Sequence, residues 1–186
     1  FTVSNDPASV EASDYNAWLI NLDCRTALRK IPSQTVSFVC TDAPHSDRIP
    51  YLELSELWNS LLGHIVDFER EIVVSNAKER QKSKSNYNSD MTEFFMETSR
   101  VLKPHGYIAL YFNARDEESW QYLKCIEKTS DLLNFVGCFP MAYSATSVVQ
   151  DNRKGAMKSD YVIVYQKQQT NCRYQLPKAF ASIHGW

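Results

Sequence analysis

The chain has 186 residues, 44% of them hydrophobic, which suits one globular domain with a core of ordinary size. Twenty basic residues against 22 acidic ones give a formal charge of -2, so no overall field would draw the surface onto nucleic acid or anionic lipid, and any such contact has to be local. No stretch approaches the roughly 20 apolar residues of a membrane span, the start Phe-Thr-Val-Ser-Asn-Asp lacks a basic-then-apolar signal pattern, and a cytoplasmic protein without membrane contact is expected.

Residues 1–15 are polar, rich in Ser, Asp and Asn, and read as a mobile linker. The first residue is not methionine, and the chain reads as a piece of something longer. The span 16–167 carries alternating strand and helix signals, and 168–186 is a tail without a pattern. Trp18 to Leu22 reads as a short strand, and Asp23 is placed to cap a helix over Cys24 to Lys30, before the Ile31-Pro32-Ser33 break. Val36 to Thr41 is a continuous apolar, β-branched run ending in Asp42, the pattern of a buried central strand. Leu54, Leu57, Trp58 and Leu61 recur at i, i+3, i+4 and i+7, which predicts one apolar helical face stopping at Gly63, with Trp58 in the core.

The polar run from Ala77 to Asp90, carrying Lys78, Arg80, Lys82 and Lys84, reads as a mobile loop. Met91, Phe94, Phe95 and Leu102 resume helical spacing, and Lys103-Pro104-His105-Gly106 turns that helix into an apolar strand over Tyr107 to Phe112. A helix over Glu117 to Leu133 follows. Val136 to Val149 and Tyr161 to Gln166 read as two strands around the polar turn Asp151 to Lys158. The whole predicts an α/β layered sheet with helices on both faces and a C-terminal antiparallel hairpin. Ligands on such sheets bind beyond the carboxyl ends of the strands, which points to the residues after Thr41 and Phe112. Five cysteines, Cys24, Cys40, Cys125, Cys138 and Cys172, lie far apart with no C-x-x-C pair, so no metal ligands are read and reduced, mostly core cysteines are expected.

Three segments taken together carry a resemblance: Asn21-Leu22-Asp23-Cys24, Val36 through Thr41-Asp42-Ala43-Pro44-His45, and Arg100-Val101-Leu102-Lys103-Pro104-His105-Gly106-Tyr107. They resemble the amino-methylating DNA methyltransferases, which act on adenine N6 or cytosine N4, over roughly Trp18 to Lys167. The resemblance implies a Rossmann-like sheet, S-adenosylmethionine as cofactor and DNA as substrate, with adenine favoured. The expected setting is DNA methylation, restriction-modification included. It also implies roles for Asp42, Ala43, Pro44 and His45, a degenerate form of the Asp-Pro-Pro-Tyr tetrapeptide. The Asp42 carboxylate and Ala43 carbonyl would accept the two hydrogens of the base amino group, orienting its lone pair toward the methyl donor. His45 would stack on a base flipped out of the duplex. Asp42 borders the cofactor, and Asp23 resembles a cofactor-edge position while also reading as a plain helix cap. Asp47, Arg48 and Tyr51 would line the target pocket, and Lys78, Arg80, Lys82 and Lys84 would contact phosphates.

The family holds its cofactor on a glycine-rich loop, yet Gly63, Gly106, Gly137, Gly155 and Gly185 are all isolated. A further segment or subunit is therefore expected to carry that loop. An unpaired sheet edge would also invite a second chain, which leaves a homodimer open. Two other readings stand beside the enzyme: a catalytically silent methyltransferase-like domain that binds nucleic acid or a partner subunit, and an RNA or small-molecule methyltransferase sharing only the sheet.

Overall fold

The fold is organised by one long helix and the strand it runs into. In the computed structural model, which describes residues 3–4, 16–44, 49–113, 117–124, 133–141 and 160–168, the helix α4 (Lys84–Val101) begins at a capping box. Ser83 Oγ accepts from the Asn86 N–H at 3.3 Å and Asn86 Oδ1 accepts from the Ser83 N–H at 3.0 Å, so two otherwise orphaned donors are satisfied. Tyr87, Met91, Phe94, Phe95 and Thr98 recur at helical spacing and are buried. The helix passes at Leu102 directly into β4 (Leu102–Phe112).

Before it lie β1 (Val3–Ser4), β2 (Ala17–Trp18), α1 (Cys24–Arg29), β3 (Val36–Asp42), α2 (Tyr51–Leu54), α3 (Glu56–Leu61) and a 3-10 turn at Phe68–Arg70; after it come α5 (Glu117–Lys124), β5 (Leu133–Pro140) and β6 (Tyr161–Lys167). The short β1 and β2 pair in parallel, and the main sheet has the order β3-β4-β6-β5. β3 runs parallel to β4, while β6 is antiparallel to both β4 and β5. The protein is thus a mixed α/β structure with an open sheet.

Alternation along the strands sends Ile108, Leu110 and Phe112 of β4, Leu133 and Phe135 of β5, and Ile163 and Tyr165 of β6 into one core with α4 and Leu123 of α5. Tyr165 packs edge-on against Phe95 and Phe135 with ring centroids 6.2 Å and 6.0 Å away, and its hydroxyl donates to the Leu123 carbonyl at 3.0 Å. On the opposite face Phe38 is 56% exposed, and Tyr107 and Phe139 are also exposed.

The junction between α4 and β4 leaves no loop to relax the helix end, so its last carbonyls need partners from elsewhere. The Leu102 N–H bonds Thr98, Gln34 and Thr35 N–H groups bond the Arg100 and Val101 carbonyls at 3.1 and 2.9 Å, and Lys167 Nζ reaches the Ser99 and Leu102 carbonyls at 2.6 and 2.7 Å. Arg100 in turn donates to the Leu28 and Ile31 carbonyls at the end of α1, at 2.8 and 3.0 Å. The expected turn at 103–106 is instead the first part of β4, where the pairing with β3 shifts between Val36↔Leu102 and Phe38↔Tyr107. Gly106 allows the close approach: a Cβ there would lie 3.0 Å from the carbonyls of Lys103 and Ser37.

Several expectations are corrected. β3 lies at an edge among the described strands and none of its residues is buried, because only β4 pairs with it. The strand before α1 is limited to Ala17–Trp18. The polar run 77–90 is ordered: Ser75 bridges to Lys82, and from Lys84 it forms the first turns of α4, whose capping box the polar residues supply. Leu133 belongs to β5, which ends at Pro140; residues 125–132 and the turn 142–159 lie outside the described residues, as do nearly all of the N-terminal linker and the tail. The leucine stripe of 54–61 forms two short helices and faces outward, with Trp58 65% exposed instead of in the core. Cys24 and Cys40 are exposed and Cys138 is buried, while Cys125 and Cys172 lie outside the described residues.

Two measurements follow from this packing. Lys167→Met should destabilise the fold by about 1–3 kcal/mol in urea denaturation, because it strips two helix-end carbonyls of their donor in a buried place. Burial pushes the Cys138 thiol up to about 11, so Cys138 should stay protonated and resist iodoacetamide near neutral pH, while exposed Cys40 alkylates, as read by peptide mass spectrometry.

Candidate active site

Parallel pairing of β3 and β4 brings their carboxyl ends to one edge of the sheet, in the register Cys40↔Ala109, Thr41↔Leu110, Asp42↔Tyr111. At that edge the chain leaves β3 through Asp42, Ala43 and Pro44. Asp42 shares the row of Phe38 and Cys40, turned from the helical core, whereas Ala43 is 5% exposed and packs into the core cluster. The next carbonyl is fixed from below: Tyr87, in the first turn of α4, donates its hydroxyl to the Pro44 carbonyl at 2.6 Å. Tyr87 is itself 2% exposed, so this tether holds the loop to a rigid helix.

Beside it, Asn113 follows the end of β4. It is buried, and its side-chain amide donates to Asp160 Oδ1 at 2.7 Å, just before β6. Trp120 of α5 stands edge-on between Phe112 and Tyr161, with centroids 5.2 and 5.7 Å away. Tyr87 and Asn113 are the site-forming residues that sequence reasoning missed. Tyr87 lies at the α4 spacing, four residues before Met91, but inside a stretch whose polarity concealed the helix. Asn113 directly follows the strand end already marked for ligand binding.

His45, Asp47 and Arg48 lie outside the described residues. Tyr51 opens α2 and is exposed. Asp23 is the cap of α1: its Oδ1 accepts from the Thr26 N–H at 3.0 Å and Oδ2 pairs with Arg25 at 3.3 Å. Burial pushes its carboxyl up, but the Thr26 N–H and the Arg25 guanidinium outweigh that and hold it below the ordinary carboxylate value. Arg25 also reaches Asp90 of α4 and the Arg70 carbonyl, which ties α1 to α4.

The four cations separate by environment. Lys82 is buried, with Nζ on the Glu69 and Glu71 carbonyls and 3.4 Å from Asp90. Arg80 lies over the Phe68 ring, 3.3 Å from its centroid, and 3.7 Å from Glu56. Lys84 pairs with Glu118 at 2.9 Å, and Lys78 is exposed.

The described glycines do not build a cofactor cradle. Gly106 faces backbone carbonyls, a Cβ at Gly137 would meet the Phe139 ring at 2.8 Å, and Gly63, at φ 69°, ends α3 in open space. A groove of about 350 Å³ beside α1 is lined by Trp18, Leu19, Ile20, Asn21, Leu22 and Lys30, but Asp23, the acid nearest it in sequence, is committed to its cap. The described residues do not by themselves fit S-adenosylmethionine.

Asp23→Ala should lower stability by about 1–2 kcal/mol, while Asp23→Asn should retain most of it, because an amide oxygen still caps the helix. Since the folded carboxyl sits below its unfolded value, the charge-dependent part of the Asp23 contribution should be present above about pH 4 and fade as pH falls through the folded value. Urea melts of wild type and Asp23→Asn across acid pH read the difference.

No protein-family model and no curated protein matches the sequence. Among solved structures it is similar to three forms of TTHA0409 from Thermus thermophilus, described as a candidate DNA modification methylase. One form is 14% identical with a TM-score of 0.46, covering 85% of this chain and 60% of that one. A selenomethionine derivative is 12% identical with a TM-score of 0.48, covering 84% and 59%. A complex with S-adenosyl-L-methionine is 14% identical with a TM-score of 0.44, with the same coverage of 84% and 59%. The chain therefore spans about 60% of the length of the structures it resembles.

Proposed function

We propose that this chain is the catalytic half of a DNA methyltransferase that acts on an exocyclic amino group, adenine N6 in preference to cytosine N4. The observation that carries the reading is the Asp42-Ala43-Pro44 loop, fixed by Tyr87 at the shared carboxyl edge of two parallel strands. A nucleobase amino nitrogen is a poor nucleophile, because its lone pair is delocalised into the ring. Acceptors on both hydrogens localise that lone pair and aim it. The Asp42 carboxylate supplies one acceptor and the Ala43 carbonyl the other, and neither has to titrate first.

The target base reaches such a site only when flipped from the duplex, where His45 would stack on it and Asp47, Arg48 and Tyr51 would surround it. Exposed Lys78 is the cation best placed to meet phosphate without first giving up a partner; Arg80 and Lys84 would exchange their carboxylates for it. Lys82 would act indirectly, by holding the segment that carries the others.

The methyl donor, S-adenosylmethionine, is assigned to a further segment or subunit with the glycine-rich loop. Two features of β3 support that division: its free edge among the described strands and the exposure of Phe38 and Cys40. A continuous apolar strand is the usual occupant of a sheet interior, not of an edge.

The test is methyl transfer to duplex DNA from labelled S-adenosylmethionine, with the donor-binding segment present and N6-methyladenine and N4-methylcytosine resolved by nucleoside mass spectrometry. Asp42→Ala should lower the rate by about 100-fold or more with the fold intact, and undiminished transfer in that variant would overturn the assignment. Tyr87→Phe should lower the rate less, leaving donor binding unchanged. A chain that binds DNA equally well with and without Asp42, and never transfers methyl, would be the silent binding domain. Docking of the donor-binding segment on β3 should also slow alkylation of Cys40.

A further inference from the structure

We propose that the outward face of α2 and α3 is the surface through which two copies of this chain associate. The two helices meet at Ser55, which ends one and begins the other, so 51–61 is nearly one continuous helical segment. Leu54, Leu57, Trp58, Leu61 and Leu62 share one face by their spacing, and Ile65 follows; Leu54, Leu61 and Leu62 are each 69% exposed, and Ile65 is fully so.

The polarity of this segment is inverted. Its inner side is held by polar contacts: the Leu52 N–H donates to Glu71 Oε1 at 3.0 Å and Ser75 Oγ donates to Glu53 Oε1, while Arg80 approaches the exposed Glu56. An amphipathic helix that turned its leucines inward would bury them against the body. Here that face is left over after the helix has already been fastened.

Size and charge select the occupant. Six large apolar side chains, each about two-thirds exposed or more, amount to several hundred Å², at or above the largest patches of ordinary monomers and on the scale of the roughly 800 Å² each partner gives to a standard interface. Residues 51–65 contain no Lys or Arg, so the face lacks the fixed cations that hold a phosphate backbone. The segment's two acids, Glu53 and Glu56, fall outside the leucine row by helical spacing, and Glu56 lies 3.7 Å from Arg80, so the row that would meet its copy is itself uncharged. A two-fold axis through the stripe pairs it with itself, with Trp58 near the centre, where aromatic anchors carry most binding energy.

Sedimentation velocity of the chain over a dilution series tests this. Wild type should be dimeric at high concentration and dissociate on dilution. Leu57→Glu and Trp58→Glu should each raise Kd by at least about thirtyfold, the loss of one hot spot, with unchanged far-UV circular dichroism. Met96→Glu, at a residue 57% exposed on α4, should leave Kd unaltered. A second readout avoids charge insertion: tryptophan emission should shift to the blue as the dimer forms, and Trp58→Phe should remove the shift. A wild type that stays monomeric throughout, a dimer that persists in both glutamate variants, or equal dissociation by Met96→Glu would overturn the proposal.

Discussion

Everything in this structure depends on how the end of α4 is satisfied. A helix that becomes a strand in the next residue has no turn of its own to absorb its last carbonyls, and in a buried place each unpaired one costs about 1–3 kcal/mol. The chain meets this by convergence. The segment before β3 supplies the N–H groups of Gln34 and Thr35, and β6 supplies the Lys167 ammonium. The helix end is also a region of partial negative charge, which suits the cation. Arg100 extends the same knot to α1 by taking the carbonyls at that helix's end. Four elements distant in sequence thereby share one fixed point.

That fixed point sets the geometry of the opposite end of the sheet. Pinning Gln34 and Thr35 to the end of α4 places β3 beside β4; the register shifts once, between the Val36↔Leu102 and Phe38↔Tyr107 pairs, and then runs without a break to Asp42 beside Tyr111. At about 1.5 Å per residue, the 18 residues of α4 cover close to 27 Å, enough to span from the knot to the loop after β3. Tyr87, near the start of the helix, closes the frame on Pro44. The Arg25 and Lys82 cluster around Asp90 braces the same end, by tying α1 and the segment 67–82 to α4. The candidate site is therefore positioned by a frame, with its strand, its loop and the helix beneath it fixed to one another.

Much of this was legible in the sequence. The order of elements, the cap at Asp23, the strand ending in Asp42 and the apolar strand over Tyr107 to Phe112 all follow from local patterns, because caps and periodicity are properties of neighbouring residues, whereas the turn expected at 103–106 is part of β4. What patterns do not carry is the identity of the surroundings. The apolar run of β3 announced a strand that wants cover on all sides, yet among the described strands it has one neighbour. The leucines of 54–61 announced a helical face, and the spacing is the same whether that face turns inward or outward. Lys82 shows the converse: its charge suggested solvent, while the Glu69 and Glu71 carbonyls that bury it lie 13 and 11 residues away. Hydropathy states what a residue prefers, and tertiary packing decides whether the preference is met.

Under the proposed function, the loop Asp42-Ala43-Pro44 has alanine where the resembled family has proline, and the same scale applies to that change. Alanine in place of proline at position 43 frees a backbone dihedral, which costs about 0.4–1 kcal/mol of preorganisation. The Tyr87 hydroxyl on the next carbonyl is worth about 0.5–1.5 kcal/mol. Burial of the Ala43 methyl adds to that. The constraint lost in the ring is thus of the same size as the constraint regained from α4 at the next carbonyl. Along β3 an apolar strand has an open edge among the described strands and an exposed face, and under the proposed function the donor-binding segment would cover both.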